Sequence, residues 1–237
     1  MEFNIPKCVH LPITNKTKPR LYSYSLCGVP LSTVSSHPYL GIKLDTKLTW
    51  ANHITDIASK SSKVLGMIKR TLGPCKPDVK ETAYNMLVRP KLEYASPIWN
   101  PHTTTQIKHL EKIQHCAARF VKNDHRRQTV TTDLIATLGW ATLERRRIIK
   151  QAMTFYKIFN NKINITPPPG LLKPSKNRGH YMATRCRINT AVFSFYPRAI
   201  RIWNMIPQHI TEIDNPTAFQ AAITNLPFTT PNHLNCL

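Results

Sequence analysis

From Thr49 onwards, the apolar residues recur at the spacing of amphipathic helices, and this pattern constrains the fold more than any other feature of the sequence. The first helical segment carries a stripe of residues three or four positions apart: Trp50, Ile54, Ile57, Ser61, Val64, Leu65 and Ile68. Thr49 suits the N-cap position, and Gly73 followed by Pro74 ends the pattern. The sequence therefore predicts a long helix that begins after Thr49.

A second helix is predicted to begin at Pro77, because proline is well tolerated in the first turn of a helix. Helical spacing places Val79, Ala83 and Leu87 on one side, which we expect to be buried, and Pro90 breaks or kinks the helix. Further helices are predicted at residues 107–121, at 132–138, at 143–159 after a Thr142 cap, at 197–203, and at 215–223 with Asn215 as the cap.

The first 44 residues have a different pattern, in which short apolar runs alternate with turn residues. Residues 9–13, 20–26 and 38–44 are each predicted to form a strand, with a turn at 27–30. Three short strands cannot form a stable domain alone. We therefore interpret this region as the edge of a larger sheet.

The resulting fold class is mainly α, with a small antiparallel β remnant at the N-terminus followed by a helical array. We predict three parts: a β remnant over residues 1–44, a helical domain over 45–125, and a basic helical extension over 126–237. The last part contains a Pro-rich loop near residues 166–190, where Pro167, Pro168 and Pro169 follow one another.

The sign of the charge restricts the partners of the chain. Lysine and arginine number 33 against 12 aspartates and glutamates, a formal net charge of +21. Between Glu144 and Glu212 there are 13 basic residues and no acidic one. Such an excess indicates a polyanionic partner.

Two basic regions are the candidate binding surfaces. One is the first helix, with Lys60, Lys63 and Lys69 off its apolar stripe, and the other is the acid-free stretch. Charge counting favours the second region, because its cations face no carboxylate within their own stretch. Its candidate nucleic-acid contacts are Arg145, Arg146, Arg147, Lys150, Arg178, Arg185 and Arg187.

Several kinds of chemistry are not supported by the sequence. With 7 glycines, neither phosphate-cradling glycine motif occurs, and no paired carboxylates or metal-ligand spacing can be found. No catalytic residue, metal or cofactor is therefore predicted. The six cysteines form no C-x-x-C pair, and no apolar stretch long enough for a membrane span or secretory start is present. These features favour an intracellular protein of the cytoplasm or nucleus, with no membrane contact.

Several segments, taken in order, resemble the reverse transcriptases of non-LTR (LINE-like, jockey-type) retrotransposons. Segment 3–8, FNIPKC, is similar to the F-N-x-x-K-C segment that follows the catalytic F-x-D-D box of that family. Segments 39–42 (YLGI) and 48–54 (LTWANHI) resemble the junction of its palm and thumb. Further matching segments are 88–96 with 99–101, 110–114 with 117–120, 138–140 with 143–146, and 194–198 with 203–204.

The resemblance implies the palm end, the thumb and a C-terminal extension of such a polymerase, without the catalytic aspartates. It would place Lys7 in the palm segment behind the incoming nucleotide, and Tyr39, Leu40 and Gly41 on the strand that supports the primer end. The leading hypothesis is thus a remnant that retains at most nonspecific RNA or RNA/DNA binding. Alternatives are a fragment of an intact reverse transcriptase, a basic scaffold without a nucleic-acid role, or a chain whose unpaired strands prevent folding.

One prediction follows from the carboxylates alone. Two-metal nucleotidyl transfer needs carboxylates that hold two ions about 3.5 to 4 Å apart, and Glu2 is the only carboxylate in the first 44 residues. We expect this 237-residue chain by itself to extend no primer on any template. Nucleotide incorporation above the blank that disappears with a chelator would contradict this expectation.

Overall fold

The computed structural model describes residues 4–20, 22–124, 126, 128–175, 179–182 and 185–228. It is mainly α with small two-stranded sheets near the N-terminus, as the sequence predicts. Its contacts divide the chain into two compact units, Met1–Ile57 and Ala58–Leu237. The three-part division at residues 45 and 126 stays a prediction.

The first unit contains short paired strands. They are β1 (Val9–His10), β2 (Ser25–Leu26), β3 (Val29–Pro30), β4 (Ser32–Thr33), β5 (Ser36–Tyr39) and β6 (Ile42–Asp45). β2 pairs with β3 and β5 with β6 in the antiparallel sense, whereas β1 and β4 are parallel.

The predicted single strand over residues 38–44 is wrong, because this segment turns back on itself as the β5–β6 hairpin. Leu40 and Gly41 lie at the turn, with φ of 46° and 79°. Two consecutive residues with positive φ are the signature of a tight two-residue hairpin turn, in which glycine is a favoured residue. Within the same unit, the Lys43 backbone N–H donates to His53 Nδ1 at 3.2 Å, which ties β6 to the start of the following helix.

The helices follow in chain order. They are α1 (Ala51–Thr71), α2 (Pro77–Ala83), a π turn (Tyr84–Val88), α3 (Arg89–Glu93), α4 (Ser96–Trp99), α5 (Thr104–Lys122), α6 (Thr131–Thr137), α7 (Leu143–Phe159), α8 (Asn189–Val192), α9 (Phe195–Trp203), α10 (Gln208–Thr211) and α11 (Pro216–Thr224). The helix predicted at residues 107–121 is confirmed as part of α5. The apolar stripe that predicts it is buried, and its members are Ile107, Leu110, Ile113, Ala117, Phe120 and Val121.

Two predicted caps are confirmed and fix where α7 and α11 begin. Thr142 Oγ1 accepts the Arg145 backbone N–H at 3.2 Å. Asn215 Oδ1 accepts from the backbone of Thr217 at 2.8 Å. Each side chain satisfies an N–H group that has no partner within its own helix.

The predicted buried face of the second helix is wrong. Val79 and Leu87 are 44% and 48% exposed, and Lys80, Tyr84 and Val88 are buried instead. Lys80 is satisfied by Asn123 Oδ1 at 2.6 Å, and Tyr84 donates to Gln114 Oε1 at 3.0 Å. These partners lie on or directly after α5, so hydrogen bonds to α5 satisfy the polar side chains that this helix buries.

The main core of the second unit lies between α7, α9 and α11. Trp203 is 2% exposed, and its ring centroid lies 5.2 Å from that of Phe155 and 6.0 Å from that of Phe219. Tyr156 stacks on Phe219 at 4.1 Å. This packing holds α7 in place, and α7 carries Arg146, Lys150 and Lys157.

Candidate nucleic-acid interface

A groove of about 660 Å³ lies in the second unit, between the segment 85–97 and one face of α7. We call it the basic groove. Its lining residues are Asn85, Arg89, Pro90, Glu93, Tyr94, Ala95, Pro97, Arg146, Ile149, Lys150, Met153, Thr154, Lys157 and Gln220. Four cations and one carboxylate therefore line the groove, and their net charge is +3.

One wall of the groove is shaped by the turn between α3 and α4. Ala95 adopts a left-handed conformation with φ of 49°, and α4 begins directly after it with Pro97 in its first turn. The indole N–H of Trp99, which is fully buried, donates to the Tyr94 backbone carbonyl at 2.8 Å. The Tyr94 side chain is 57% exposed at the groove, while its backbone is held by this bond.

Glu93 is the acidic residue of the groove, and it binds two of the groove's four cations, Arg146 and Lys150 of α7. Its side chain is 5% exposed, accepts hydrogen bonds from Arg146 (Nη2 to Oε2 3.3 Å), and pairs with Lys150 (Nζ to Oε2 2.8 Å). Burial alone would raise the pKa of Glu93, but the hydrogen bonds from Arg146 and Lys150 outweigh it and lower the pKa. Glu93 is thus ionised at neutral pH.

Arg89 and Lys157 are the other two cations of the groove. Neither side chain forms an ion pair or hydrogen bond with another residue of the described part of the chain. Their charges are therefore available to an anionic ligand. Lys157 is exposed, and Arg89 is half-buried.

Of the predicted binding residues, the structure brings Arg146 and Lys150 together in this groove. Arg145 points elsewhere, since its Nη2 donates to the backbone carbonyls of Thr224 at 2.6 Å and Leu226 at 2.8 Å. Arg147 is fully buried, with its Nε donating to Asn100 Oδ1 at 3.1 Å, and burial lowers the pKa of its guanidinium. In this structure Arg145 thus binds backbone carbonyls and Arg147 is buried, and neither lines the basic groove.

The remaining predicted residues lie outside the groove. Lys60 and Lys63 are exposed on α1, and Lys69 is half-buried near its end. Arg185 and Arg187 are exposed before α8, and Arg178 lies outside the described residues. In the first unit, Lys7 is exposed, and Tyr39, Leu40 and Gly41 form the tip of the β5–β6 hairpin.

Sequence reasoning missed Arg89, Tyr94 and Lys157. A signal was available for Lys157, because spacings of four and seven residues place Arg146, Lys150 and Lys157 on one face of a helix. The charge count over the acid-free stretch also missed Glu93, which lies 53 residues before Arg146 in the chain.

Among the described residues, no group of three or more His, Cys, Asp or Glu side chains lies close enough to hold a metal ion. None of the helices described is both long and apolar enough to cross a bilayer.

Comparison with known proteins gives one informative relative. A stretch of 112 residues, 46% of this chain, is 29% identical to a probable RNA-directed DNA polymerase from transposon X-element of Drosophila melanogaster. The chain is similar to part of a retrotransposon polymerase. The matched stretch makes up 12% of the length of that relative, so this chain spans a small part of it. No family model matches the chain, and no solved structure matches it.

Proposed function

We propose that this chain binds RNA or an RNA/DNA hybrid without sequence preference, as the thumb-like and C-terminal part of a non-LTR reverse transcriptase that lacks the catalytic palm aspartates. The basic groove is the proposed binding site. The relationship to a transposon RNA-directed DNA polymerase supports a nucleic acid as the ligand class. The alternatives are that the chain acts only within an intact polymerase, or that it is a basic scaffold.

The observation that carries the proposal is the excess of cations in the groove. Four basic side chains face one carboxylate, and Arg89 and Lys157 are bound to no other described side chain. Phosphate groups bind such side chains by releasing condensed counterions, which gives affinity without sequence preference. For the whole chain we expect about four to eight phosphate contacts, and hence a steep dependence of affinity on salt.

The proposal is tested with the double variant Arg89→Ser/Lys157→Ser and a labelled oligoribonucleotide, with affinity measured by fluorescence anisotropy over a range of salt concentrations. Each lost phosphate contact should lower the slope of log affinity against log salt by about 0.7. The double variant should therefore lose about 1.4 in slope and about 10- to 30-fold in affinity near 0.1 M salt.

Two further double variants make the same change of charge elsewhere. Lys16→Ser/Lys18→Ser removes two exposed lysines of the first unit and should alter affinity only slightly. Lys60→Ser/Lys63→Ser tests the thumb-like helix α1, and a larger loss there than in the groove variant would move the binding surface to α1. Affinity that does not depend on salt would favour the scaffold alternative.

A further inference from the structure

We propose that the basic groove receives unpaired bases, with Tyr94 as the residue on which a base stacks, so that the groove prefers single-stranded nucleic acid over a duplex. This inference rests on the proposed function and specifies its substrate class. It concerns the shape and chemistry of the groove rather than its charge alone.

The first observation is the position of Tyr94. Tyr94 is 57% exposed and lines the groove, whereas its backbone carbonyl accepts a hydrogen bond from the buried Trp99 indole at 2.8 Å. Ala95 in the left-handed region and the short helix α4 fix the chain on the following side. An exposed aromatic side chain on a well-anchored backbone loses little conformational freedom when a base stacks on it.

The second observation is the mixed character of the lining. Pro90, Pro97, Ile149 and Met153 contribute apolar surface to the same groove that holds the cations. Apolar side chains can pack against the flat faces of bases but make no favourable contact with charged phosphate groups. In a duplex those faces are stacked inside the helix, so only an unpaired strand can present them.

The third observation is the partial neutralisation of the groove. Glu93 already binds Arg146 and Lys150, so Arg89 and Lys157 are the groove cations left for phosphates. Two available cations fit the backbone of a single strand better than the dense charge of a duplex.

Two aromatic residues of the acid-free stretch, Tyr156 and Trp203, do not offer this surface. Tyr156 is fully buried and Trp203 is 2% exposed, and both belong to the core around α7 and α9. Tyr94 is the aromatic residue that lines the groove among the residues the structure describes. It is therefore the residue to test.

The experiment compares Tyr94→Leu and Tyr94→Phe in the full chain, with leucine as an apolar side chain that lacks a ring. The probes are a 12-nucleotide single-stranded RNA, the same sequence as a duplex, and the single strand with abasic sites. Tyr94→Leu should lose about 5- to 100-fold in affinity for the single strand, the range for one lost base stack. Tyr94→Phe should stay within about threefold of the wild type, because it keeps the ring.

Three further readouts separate stacking from charge. The salt slope should be the same in all three proteins, since no charge changes. A 2-aminopurine base in the single strand should be quenched by the wild type and by Tyr94→Phe, but not by Tyr94→Leu. The wild type should bind the abasic strand more weakly than the intact single strand, a comparison that tests stacking without any variant.

The outcomes distinguish this inference from the proposed function. Equal affinity for duplex, single strand and abasic strand, with a steep salt slope, would overturn the inference and leave nonspecific binding intact. An equal loss in Tyr94→Phe and Tyr94→Leu would also overturn it, because the ring would then not be the contact. Absence of binding to every probe would overturn both.

Discussion

Replacing Glu93 by glutamine is expected to destabilise the second unit and, at the same time, to strengthen nucleic-acid binding. The substitution keeps the size of the side chain but removes the charge between Arg146 and Lys150. Removal of one partner from a buried ion pair costs about 3 to 5 kcal/mol. Because the Arg146 and Lys150 side chains are 32% and 43% exposed, water can partly replace the lost partner. We therefore expect a loss of about 2 to 4 kcal/mol in the free energy of unfolding.

The expected gain in affinity also comes from the loss of the Glu93 charge. Without Glu93, Arg146 and Lys150 are free to bind phosphates, and each new contact multiplies affinity about fivefold near 0.1 M salt. A total gain of about 5- to 20-fold in affinity, with a steeper salt slope, is the expected result. Urea unfolding followed by circular dichroism and anisotropy titrations on the same preparation measure the two effects.

Asp78→Asn is the matched control, since it removes one negative charge from an exposed position in the first turn of α2. It should change the free energy of unfolding by less than about 1 kcal/mol, the usual size of a helix-terminus charge effect. A fall in affinity of a folded Glu93→Gln protein would remove the basic groove as the binding site.

A fall in pH should weaken the interaction of Glu93 with Arg146 and Lys150. The pKa of Glu93 is lowered in the folded chain, so its stabilising effect is fully present above the pKa of an unfolded glutamate, roughly 4.3. This stabilisation is lost as the pH falls through the folded-state pKa. Between about pH 6 and pH 3, the wild type should therefore lose more stability than Glu93→Gln does. Parallel curves for the two proteins would show that Glu93 is not the group involved.

Much of the helical framework can be predicted from sequence, because each signal for it is local. The stripe of α5 and the caps at Thr142 and Asn215 depend on residues within a few positions of one another. Amphipathic spacing and capping act over one or two turns, so one short window contains all the information.

The candidate site could not be predicted in the same way, because its chemistry depends on contacts between distant segments. Glu93 and Arg146 are 53 residues apart, and a charge count over one stretch cannot detect their pairing. The run of three arginines at 145–147 looks uniform in sequence, yet one binds backbone carbonyls, one binds Glu93 and one is buried. Successive residues on a helix point in directions about 100° apart, so neighbours meet different surroundings.

The second large effect is expected from Trp203→Ala in the main core. Trp203 is 2% exposed, and its ring lies 5.2 Å from Phe155, 5.5 Å from Phe159 and 6.0 Å from Phe219, measured between centroids. Its indole N–H donates to the Gly179 carbonyl at 3.2 Å. Truncation leaves a cavity that the surrounding rings cannot fill, and we expect a loss of about 3 to 5 kcal/mol in the free energy of unfolding.

Two companion variants separate the contributions to this loss. Trp203→Phe keeps a ring in the cluster but removes the hydrogen bond to Gly179, so it should cost about 1 to 3 kcal/mol. Tyr39→Ala removes a ring that is 61% exposed on the β5–β6 hairpin, and it should cost less than about 1 kcal/mol. Urea unfolding gives all three values, and a midpoint shift with an unchanged m-value would show that stability alone has changed.

Because Phe155 and Tyr156 of α7 pack in the same cluster, the loss of stability extends to the helix that carries Arg146, Lys150 and Lys157. Nucleic-acid binding by Trp203→Ala should therefore disappear over the same urea range as its helical signal. Binding that persists after this signal is lost would show that the charges act without the groove.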